Sequence, residues 1–212
     1  MHWDGQSLTL NLDEVSVPLP FRVRGTVRVW PKGLSRFVAP LDTAGRHRWG
    51  PIAACARVEV NLSSPELRWG GAGYLDSNEG DEPVARAFKS WDWSRAPMAN
   101  GSTGVLYDVR EKNGDERMLA LRFAPAGEVE QLEAPPRQAL PGTLWRVARQ
   151  VRADAPTKVI RTLEDTPFYV RSELLTSLLG ERVTAVHESL DVQRLESSLV
   201  QFMLPWRMPR RA

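Results

Sequence analysis

Short segments in which apolar and polar residues alternate recur along the chain and constrain its fold more than any other feature. The segment 7–15 carries leucine at every second position from Leu8 to Leu12, and valines alternate in the same way in 22–30. This period-two pattern is typical of β-strands with one buried face, because successive side chains of a strand point to opposite faces. Gly25 interrupts the second segment, and we expect a β-bulge there.

Further segments of this kind follow at fairly regular spacing. Extended structure is predicted for 46–51, 56–62, 67–75, 90–94, 103–110, 117–123, 144–151, 158–163 and 182–190. The Asn113-Gly114 pair between two of them favours a hairpin turn. One helical turn is expected within 81–89 and a short helix within 191–201, while the leucine spacing of 168–179 fits a strand or a helical turn. The chain as a whole predicts an all-β antiparallel barrel or sandwich.

The segment 125–141 is rich in Pro, Ala, Gly and Glu, a composition typical of a linker. We therefore predict two β domains in tandem. Residues 1–124 would form the first domain and carry the functional site, and residues 142–212 would form the second.

Composition excludes several classes of protein. The net charge of the 212 residues is only +2, which argues against a nucleic-acid-binding protein. A single cysteine, Cys55, excludes an internal disulfide and fits a reducing, cytoplasmic compartment. No phosphate-binding loop and no cluster with metal-ligand spacing is present, so neither a cofactor nor a metal is predicted.

The stretch 71–80 holds the strongest candidate for chemistry. In an extended segment, period-two spacing places Tyr74, Asp76 and Asn78 on one face. Burial disfavours the charged form of a carboxyl group, and a carboxylic acid that stays protonated can donate a proton. The alternative is a hairpin turn at 76–81, because Asp, Ser, Asn and Gly are typical turn residues.

Aromatic residues and one histidine add further candidates. His47 and Trp49 share parity, and so do Trp91 and Trp93, so each pair would lie on one face of a strand. The alternatives are a solvated histidine and tryptophans that serve only as core or rim residues. For the pair His187 and Glu188 we expect a structural role.

Six stretches, in this order, resemble the carotenoid 1,2-hydratases, also called hydroxyneurosporene synthases. They are Arg48-Trp49-Gly50-Pro51-Ile52-Ala53, Arg57-Val58-Glu59-Val60, Gly73-Tyr74-Leu75-Asp76-Ser77-Asn78-Glu79-Gly80, Ser90-Trp91-Asp92-Trp93-Ser94-Arg95, Leu163-Glu164-Asp165-Thr166-Pro167-Phe168-Tyr169 and Met203-Leu204-Pro205-Trp206-Arg207-Met208-Pro209-Arg210. The resemblance extends along essentially the whole chain.

The resemblance implies a lipocalin-like fold and the addition of water to the terminal C1=C2 bond of an acyclic carotenoid such as neurosporene or lycopene, without a cofactor. It places the catalytic aspartate at Asp76 and further catalytic positions at His47, Trp49 and Tyr74. Compared with the family pattern an N-terminal portion is lacking, so the first domain is expected to be incomplete. The substrate partners implied are a carotenoid and water.

For such a reaction we expect Asp76 to protonate the alkene and aromatic faces to stabilise the tertiary carbocation. Trp49 and Tyr74 would act first, then Trp91 and Trp93 as substrate-binding residues. Asn78 would hold the water and His47 would take its proton. A non-catalytic lipid-binding protein and a pericyclase-type enzyme remain alternatives. The basic, aromatic tail 206–211 is either a solvated terminus or a peripheral contact with an anionic inner or intracytoplasmic membrane.

Overall fold

The computed structural model describes residues 1–16 and 19–204, and β-strands account for most of them. The strands are β1 (His2–Trp3), β2 (Leu8–Val15), β3 (Arg22–Pro31), β4 (Ala39–Pro40), β5 (His47–Ser64), β6 (Glu66–Gly80), β7 (Phe88–Pro97), β8 (Thr103–Glu111), β9 (Glu116–Phe123), β10 (Val129–Gln131), β11 (Arg137–Ala139), β12 (Gln150–Arg152), β13 (Lys158–Asp165), β14 (Tyr169–Leu178) and β15 (Glu181–Asp191). Three short helices are described, α1 (Val84–Ala87), α2 (Val192–Leu195) and α3 (Ser198–Met203). The predicted all-β class is confirmed.

The first sheet has six strands, and β5 is its central member. The order runs β1-β2-β3-β5, and both β4 and β6 also pair with β5, all antiparallel. The pairing of β3 with β5 shifts register between Arg24 and Gly25, which confirms the expected bulge. A Cβ atom at Gly25 would lie 2.3 Å from the Asn61 carbonyl oxygen, so only glycine fits this close approach.

The second sheet has seven antiparallel strands in the order β10-β9-β8-β7-β15-β14-β13. Strands from both sides of the predicted linker 125–141 therefore share one sheet, joined where β7 pairs with β15. The division into domains 1–124 and 142–212 stays a prediction about which segments fold alone. Within the described residues neither large sheet closes on itself, an arrangement compatible with an open lipocalin-like fold.

An aromatic core lies between the two sheets and supports the cavity described below. Trp49 of β5 contacts Tyr107 of β8 and Phe123 of β9, with ring centroids 5.5 and 6.4 Å apart and edge-to-face geometry. All three side chains are buried. A second cluster of buried residues, including Leu106, Val151 and Leu174, contains residues of the second sheet and of β12.

Several local predictions were wrong, for identifiable reasons. The stretch 71–80 lies wholly within β6 and forms no turn, because it pairs with β5 along its length apart from small register shifts. Only the end of 144–151 is strand, in β12, and 125–141 contains β10 and β11. The ambiguous segment 168–179 contains strand β14, which pairs with β13 and β15 and buries every second side chain on one face of the sheet.

In the described part of the chain, no helix has the length and apolar character that a membrane span requires. The tail 206–211, for which a membrane contact was an alternative, lies outside the described residues.

Candidate functional site

A cavity of about 1130 Å³ opens between the two sheets. Strands β5 and β6 line one side, and β7, β8, β14 and β15 contribute to the other. The structure brings all seven residues predicted from the sequence to this cavity, namely His47, Trp49, Tyr74, Asp76, Asn78, Trp91 and Trp93. The five residues on β5 and β6 come together because these strands pair, which places Asn78 opposite Trp49 and Asp76 opposite Pro51. Trp91 and Trp93 lie on β7.

Asp76 is half-buried, and one of its two carboxyl oxygens is held by two donors. The Trp49 Nε1–H group donates to Oδ2 at 2.8 Å, and the Tyr74 hydroxyl donates to the same oxygen at 3.2 Å. Among the described residues no donor is hydrogen-bonded to Oδ1. A proton on this carboxyl group therefore belongs on Oδ1, because Oδ2 is already occupied as an acceptor.

Trp49 contacts the site through its N–H group and not through its ring face. The side chain is 1% exposed, and edge-to-face contacts with Phe37, Tyr107 and Phe123 surround the indole. An enclosed ring cannot lie against a carbocation in the cavity. The geometry therefore supports a hydrogen-bonding role for Trp49 in place of the expected cation-stabilising role.

The ring of Tyr74 is also covered by neighbouring side chains. The Arg95 guanidinium lies 5.4 Å from the centre of its ring, and the Trp93 ring packs against it at 5.4 Å with an interplanar angle of 56°. Burial, followed by the nearby charge of Asp76, raises the pKa of the Tyr74 phenol well above its usual range. The hydroxyl group thus keeps its proton and remains a donor to Asp76.

His47 is buried, and both of its ring nitrogens face acceptors. Nδ1 lies 3.0 Å from Asp42 Oδ2, and Nε2 lies 3.0 Å from the Glu82 carbonyl oxygen. A carbonyl oxygen only accepts, so Nε2 must carry a proton, and the carboxylate favours a second proton on Nδ1. This arrangement is that of an imidazolium paired with a carboxylate. The role of base expected for His47 is not supported, because neither nitrogen is free to accept a proton.

Asp42 completes this buried pair and was missed by sequence reasoning. Burial acts to raise the pKa of its carboxyl group, but the hydrogen bonds and charge of His47 outweigh burial and hold that pKa below its usual range. The backbone N–H of His47 also donates to Asp42 Oδ1 at 3.1 Å. Asp42 precedes β5 in a loop, where no periodic pattern connects it to the site.

The other aromatic candidates form the cavity wall. Trp91 is partly exposed and packs edge-to-face on Phe88 at 6.0 Å. Trp93 is 8% exposed, and its Nε1–H group is buried without a hydrogen-bond partner. Asn78 is exposed, and it lines the cavity beside Asp76 on the same face of β6. Of the three tryptophans predicted from the sequence, Trp91 is thus the most open to a ligand.

Sequence reasoning also missed three charged or phenolic residues of the cavity, Arg95 of β7, Tyr107 of β8 and Arg171 of β14. Glu188 of β15, for which only a structural role was expected, lines the cavity as well. Arg171 Nε donates to Glu188 Oε1 at 2.9 Å. The parity that linked Trp91 with Trp93 extends to Arg95 and could have identified it, whereas the register of β14 against β15 is not readable from the sequence.

His187 lies away from the cavity in a closed polar network. Its Nδ1 contacts Ser94 Oγ at 2.7 Å and its Nε2 contacts Ser189 Oγ at 3.0 Å, and Ser189 Oγ donates to Asp92 Oδ1 at 2.6 Å. Burial, assisted by the charge of Arg149, lowers the pKa of His187 to about 3. A neutral histidine with both nitrogens occupied fits the expected structural role.

No site for a metal ion was found in the residues that the structure describes, since no three His, Cys, Asp or Glu side chains there are grouped to hold one. The chemistry that the cavity can offer comes instead from one carboxyl group. Its Oδ1 is free, its Oδ2 is fixed by two donors, and aromatic rings surround it. Such a group can exchange a proton with an apolar ligand.

The family model and the similar proteins that match this chain all point to one family. The family model described as "Carotenoid hydratase CrtC" matches residues 1–212. An acyclic carotenoid 1,2-hydratase from Rubrivivax gelatinosus is 59% identical over 100% of this chain and 53% of its own length. The protein of that name from Thiocapsa roseopersicina is 52% identical over 98% of this chain and 52% of its own length. One from Cereibacter sphaeroides is 35% identical, covering 100% of this chain and 76% of its own length.

The chain thus spans about half the length of the first two relatives. No solved structure matches it significantly. The match of the family model along the entire chain agrees with the motifs around Trp49 and Asp76 and with the arrangement of these residues in one cavity. The chain belongs to the carotenoid hydratase family.

Proposed function

We propose that this chain carries the acid site of a carotenoid 1,2-hydratase, which adds water to the terminal C1=C2 bond of an acyclic carotenoid of the neurosporene or lycopene type. The observation that carries the proposal is the Asp76 carboxyl group in the cavity. Trp49 and Tyr74 donate to its Oδ2, and Oδ1 is left free. The names of the relatives support a carotenoid as the substrate.

In the first step, the proton on Asp76 Oδ1 adds to C2 of the alkene, and the π electrons form the new C–H bond. Positive charge then develops at C1 as a tertiary carbocation. The carboxylate left behind is already hydrogen-bonded to Trp49 and Tyr74. Donors aligned before the reaction stabilise the developing negative charge without reorganisation, and one such donor contributes about 10²–10³-fold to the rate.

The carbocation needs electron-rich surroundings that do not trap it covalently. Trp91 is the first candidate because its ring is partly exposed in the cavity wall, and Trp93 lies next to it on the same face of β7. A desolvated aromatic face contributes up to about 2 kcal/mol to the binding of a cation. Trp49 and Tyr74, whose rings are covered, act through hydrogen bonds.

In the second step, a water molecule attacks C1 and forms the C–O bond. The resulting oxonium group loses one proton to the Asp76 carboxylate, which restores the starting acid. In this proposal Asn78, which lines the same cavity as Asp76, holds the water. His47 has no part in this proton transfer, and its pair with Asp42 fixes the end of β5 next to the acid.

The substrate is a bilayer-soluble hydrocarbon, so we also propose that the protein works in the cytoplasm as a peripheral protein at the membrane surface. Co-sedimentation with liposomes containing anionic lipid tests this part separately. The proposal fails if the chain stays in the supernatant at low ionic strength.

Two substitutions test the proton donor. Asp76→Asn removes the acid and keeps its size, so turnover of lycopene should fall to background while the fold persists. Trp49→Phe removes one of two donors to Oδ2, so a loss of about 10²–10³-fold with measurable residual turnover is expected. If Asp76→Asn retains more activity than Trp49→Phe, Asp76 is not the donor.

The same assay separates the two alternative functions. A non-catalytic binding protein would retain the bound carotenoid unchanged in both variants. A pericyclase-type enzyme would form a ring without gaining oxygen, and its turnover would not depend on an acidic proton at Asp76.

A further inference from the structure

Arg95 occupies an unusual place in the cavity wall. It follows Trp91 and Trp93 on the same face of β7, and its side chain is largely withdrawn from solvent. Among the described residues no group forms a hydrogen bond or ion pair with its guanidinium, which lies 5.4 Å from the centre of the Tyr74 ring. Three other arginines lining the cavity do have carboxylate partners: Arg48 with Asp81, Arg161 with Glu173 and Arg171 with Glu188.

An arginine that is largely withdrawn from solvent and has no ion-pair partner is costly, so its position calls for an explanation. Burial lowers the pKa of Arg95, and its electrostatic interactions with Tyr74, Glu188 and Asp76 oppose that effect. A guanidinium stays protonated in proteins, so a full positive charge lies over the Tyr74 ring. A cation on a ring face withdraws electron density from the phenol and makes its O–H group a stronger donor.

The phenol that Arg95 contacts is the one that donates to Asp76. The contacts run from the Arg95 guanidinium to the Tyr74 ring, and from the Tyr74 hydroxyl to Asp76 Oδ2 at 3.2 Å. We propose that Arg95 is a positioning residue that acts on Asp76 through Tyr74: it fixes the ring and polarises its hydroxyl, and so favours the Asp76 carboxylate formed on proton transfer. This inference rests on the proposed function of Asp76.

A direct role at the reacting carbon is disfavoured by charge. The reaction proposed above develops a carbocation, and a guanidinium beside it would raise the energy of the transition state by like-charge repulsion. Behind the Tyr74 ring, the same charge stabilises the carboxylate. The position of Arg95 over the ring therefore fits the electrostatics of the acid, and not those of the cation.

Other groups also face Asp76, and the test must distinguish their effect on its ionisation from that of Arg95. Trp49 on β5 donates to it, and Tyr107 on β8 lies in the same cavity. Glu188 on β15 and Arg171 on β14 form an ion pair, which limits their net field. Arg161 at the cavity lining is 69% exposed in its side chain and serves as a matched control, because its removal takes away one positive charge without touching Tyr74.

The test follows the ionisation of Asp76 itself by ¹³C NMR of the full chain labelled at aspartate Cγ, with the resonance assigned by its loss in D76N. In Arg95→Met the titration midpoint should move to higher pH by about 0.5–1 unit, because a stabilising positive charge is lost. In Tyr74→Phe the midpoint should also rise. In the double variant it should lie within about 0.2 units of Tyr74→Phe, because coupled residues give non-additive effects. Arg161→Met should shift it by less than about 0.2 units.

Three results would overturn the inference: an unchanged midpoint in Arg95→Met, shifts of Arg95→Met and Tyr74→Phe that add fully, or an equal shift in Arg161→Met. The readout does not depend on turnover. If the midpoints behave as expected but no carotenoid is hydrated, the proposed function fails and the coupling of Arg95 to Asp76 stands. If lycopene is hydrated and the midpoints do not move, the coupling alone is wrong.

Discussion

The pair formed by His47 and Asp42 makes a strong prediction about stability. Asp42→Leu keeps the approximate size of the side chain but removes the negative charge and both acceptor oxygens beside a buried imidazolium. Both residues are nearly inaccessible, with exposures of 3% for His47 and 2% for Asp42. The imidazolium must then stay buried without its counter-charge, or lose the Nδ1 proton and leave that nitrogen without a hydrogen-bond partner.

The magnitude follows from the contacts that are lost or weakened. Asp42 accepts from His47 Nδ1 at 3.0 Å and from the His47 backbone N–H at 3.1 Å. Removing one partner of a buried ion pair costs about 3–5 kcal/mol, so the free energy of unfolding should fall by about 3 kcal/mol or more. Because globular domains are stable by only about 5–15 kcal/mol, this loss is easily measured.

Urea unfolding followed by tryptophan fluorescence at neutral pH measures the effect. Asp13→Leu is the matched control, because Asp13 pairs with Arg22 on the surface with side-chain exposures of 53% and 58%. The control should change stability by less than about 1 kcal/mol. A loss of less than about 1 kcal/mol in Asp42→Leu would refute the assignment of Asp42 and His47 as a buried ion pair.

The contribution of Asp42 to the free energy of unfolding changes with pH in a defined direction. The pKa of Asp42 is lower in the folded protein than its ordinary value of 3.8, so the folded state binds this proton less readily. The contribution of Asp42 is therefore fully present above pH 3.8 and is lost as pH falls through the lower folded value. In Asp42→Leu this part of the acid dependence should be absent.

Three further predictions follow from other features. Gly80→Ala should lower the free energy of unfolding in urea by about 1–3 kcal/mol, because a Cβ atom there would lie 2.9 Å from His47 Cδ2. Gly71→Ala is the control and should be neutral, because a Cβ atom there would have no neighbour within 4 Å. His187, whose pKa is lowered from 6.5 to about 3, should make stability fall by about 1.4 kcal/mol per unit as pH drops below 6.5, a slope that His187→Gln should abolish. Fragments 1–124 and 142–212 should associate when mixed, since β7 pairs with β15; two independently soluble, non-interacting fragments would contradict this.

Period-two patterns predicted much of this fold because most strands bury one face. Parity alone brought Tyr74, Asp76 and Asn78 to one face of β6, and the alternative turn failed because that stretch finds a partner in β5. The sequence could not reveal that β7 pairs with β15 across 125–141, since long-range register depends on tertiary packing.

The candidate site was predictable as a set of residues but not as an arrangement. Neighbours that are distant in sequence cover the rings of Trp49 and Tyr74. Among them are Phe37 of a loop, Tyr107 of β8 and Arg95 of β7. The hydrogen bonds that weigh against the expected role of His47 as a base could not be read from the sequence either. Its acceptors come from a loop before β5 and from the backbone of Glu82, and neither carries a pattern.

The most direct measurement incubates the chain with lycopene in water labelled with ¹⁸O and, separately, in D₂O, and analyses the product by mass spectrometry. If Asp76 protonates C2 and water attacks C1, each hydrated end gains one labelled oxygen in the first experiment and one solvent deuterium on C2 in the second. The Asp76→Asn variant should give neither product. A cyclised product of unchanged mass, or lycopene that is bound but recovered without label, would contradict hydration at this site.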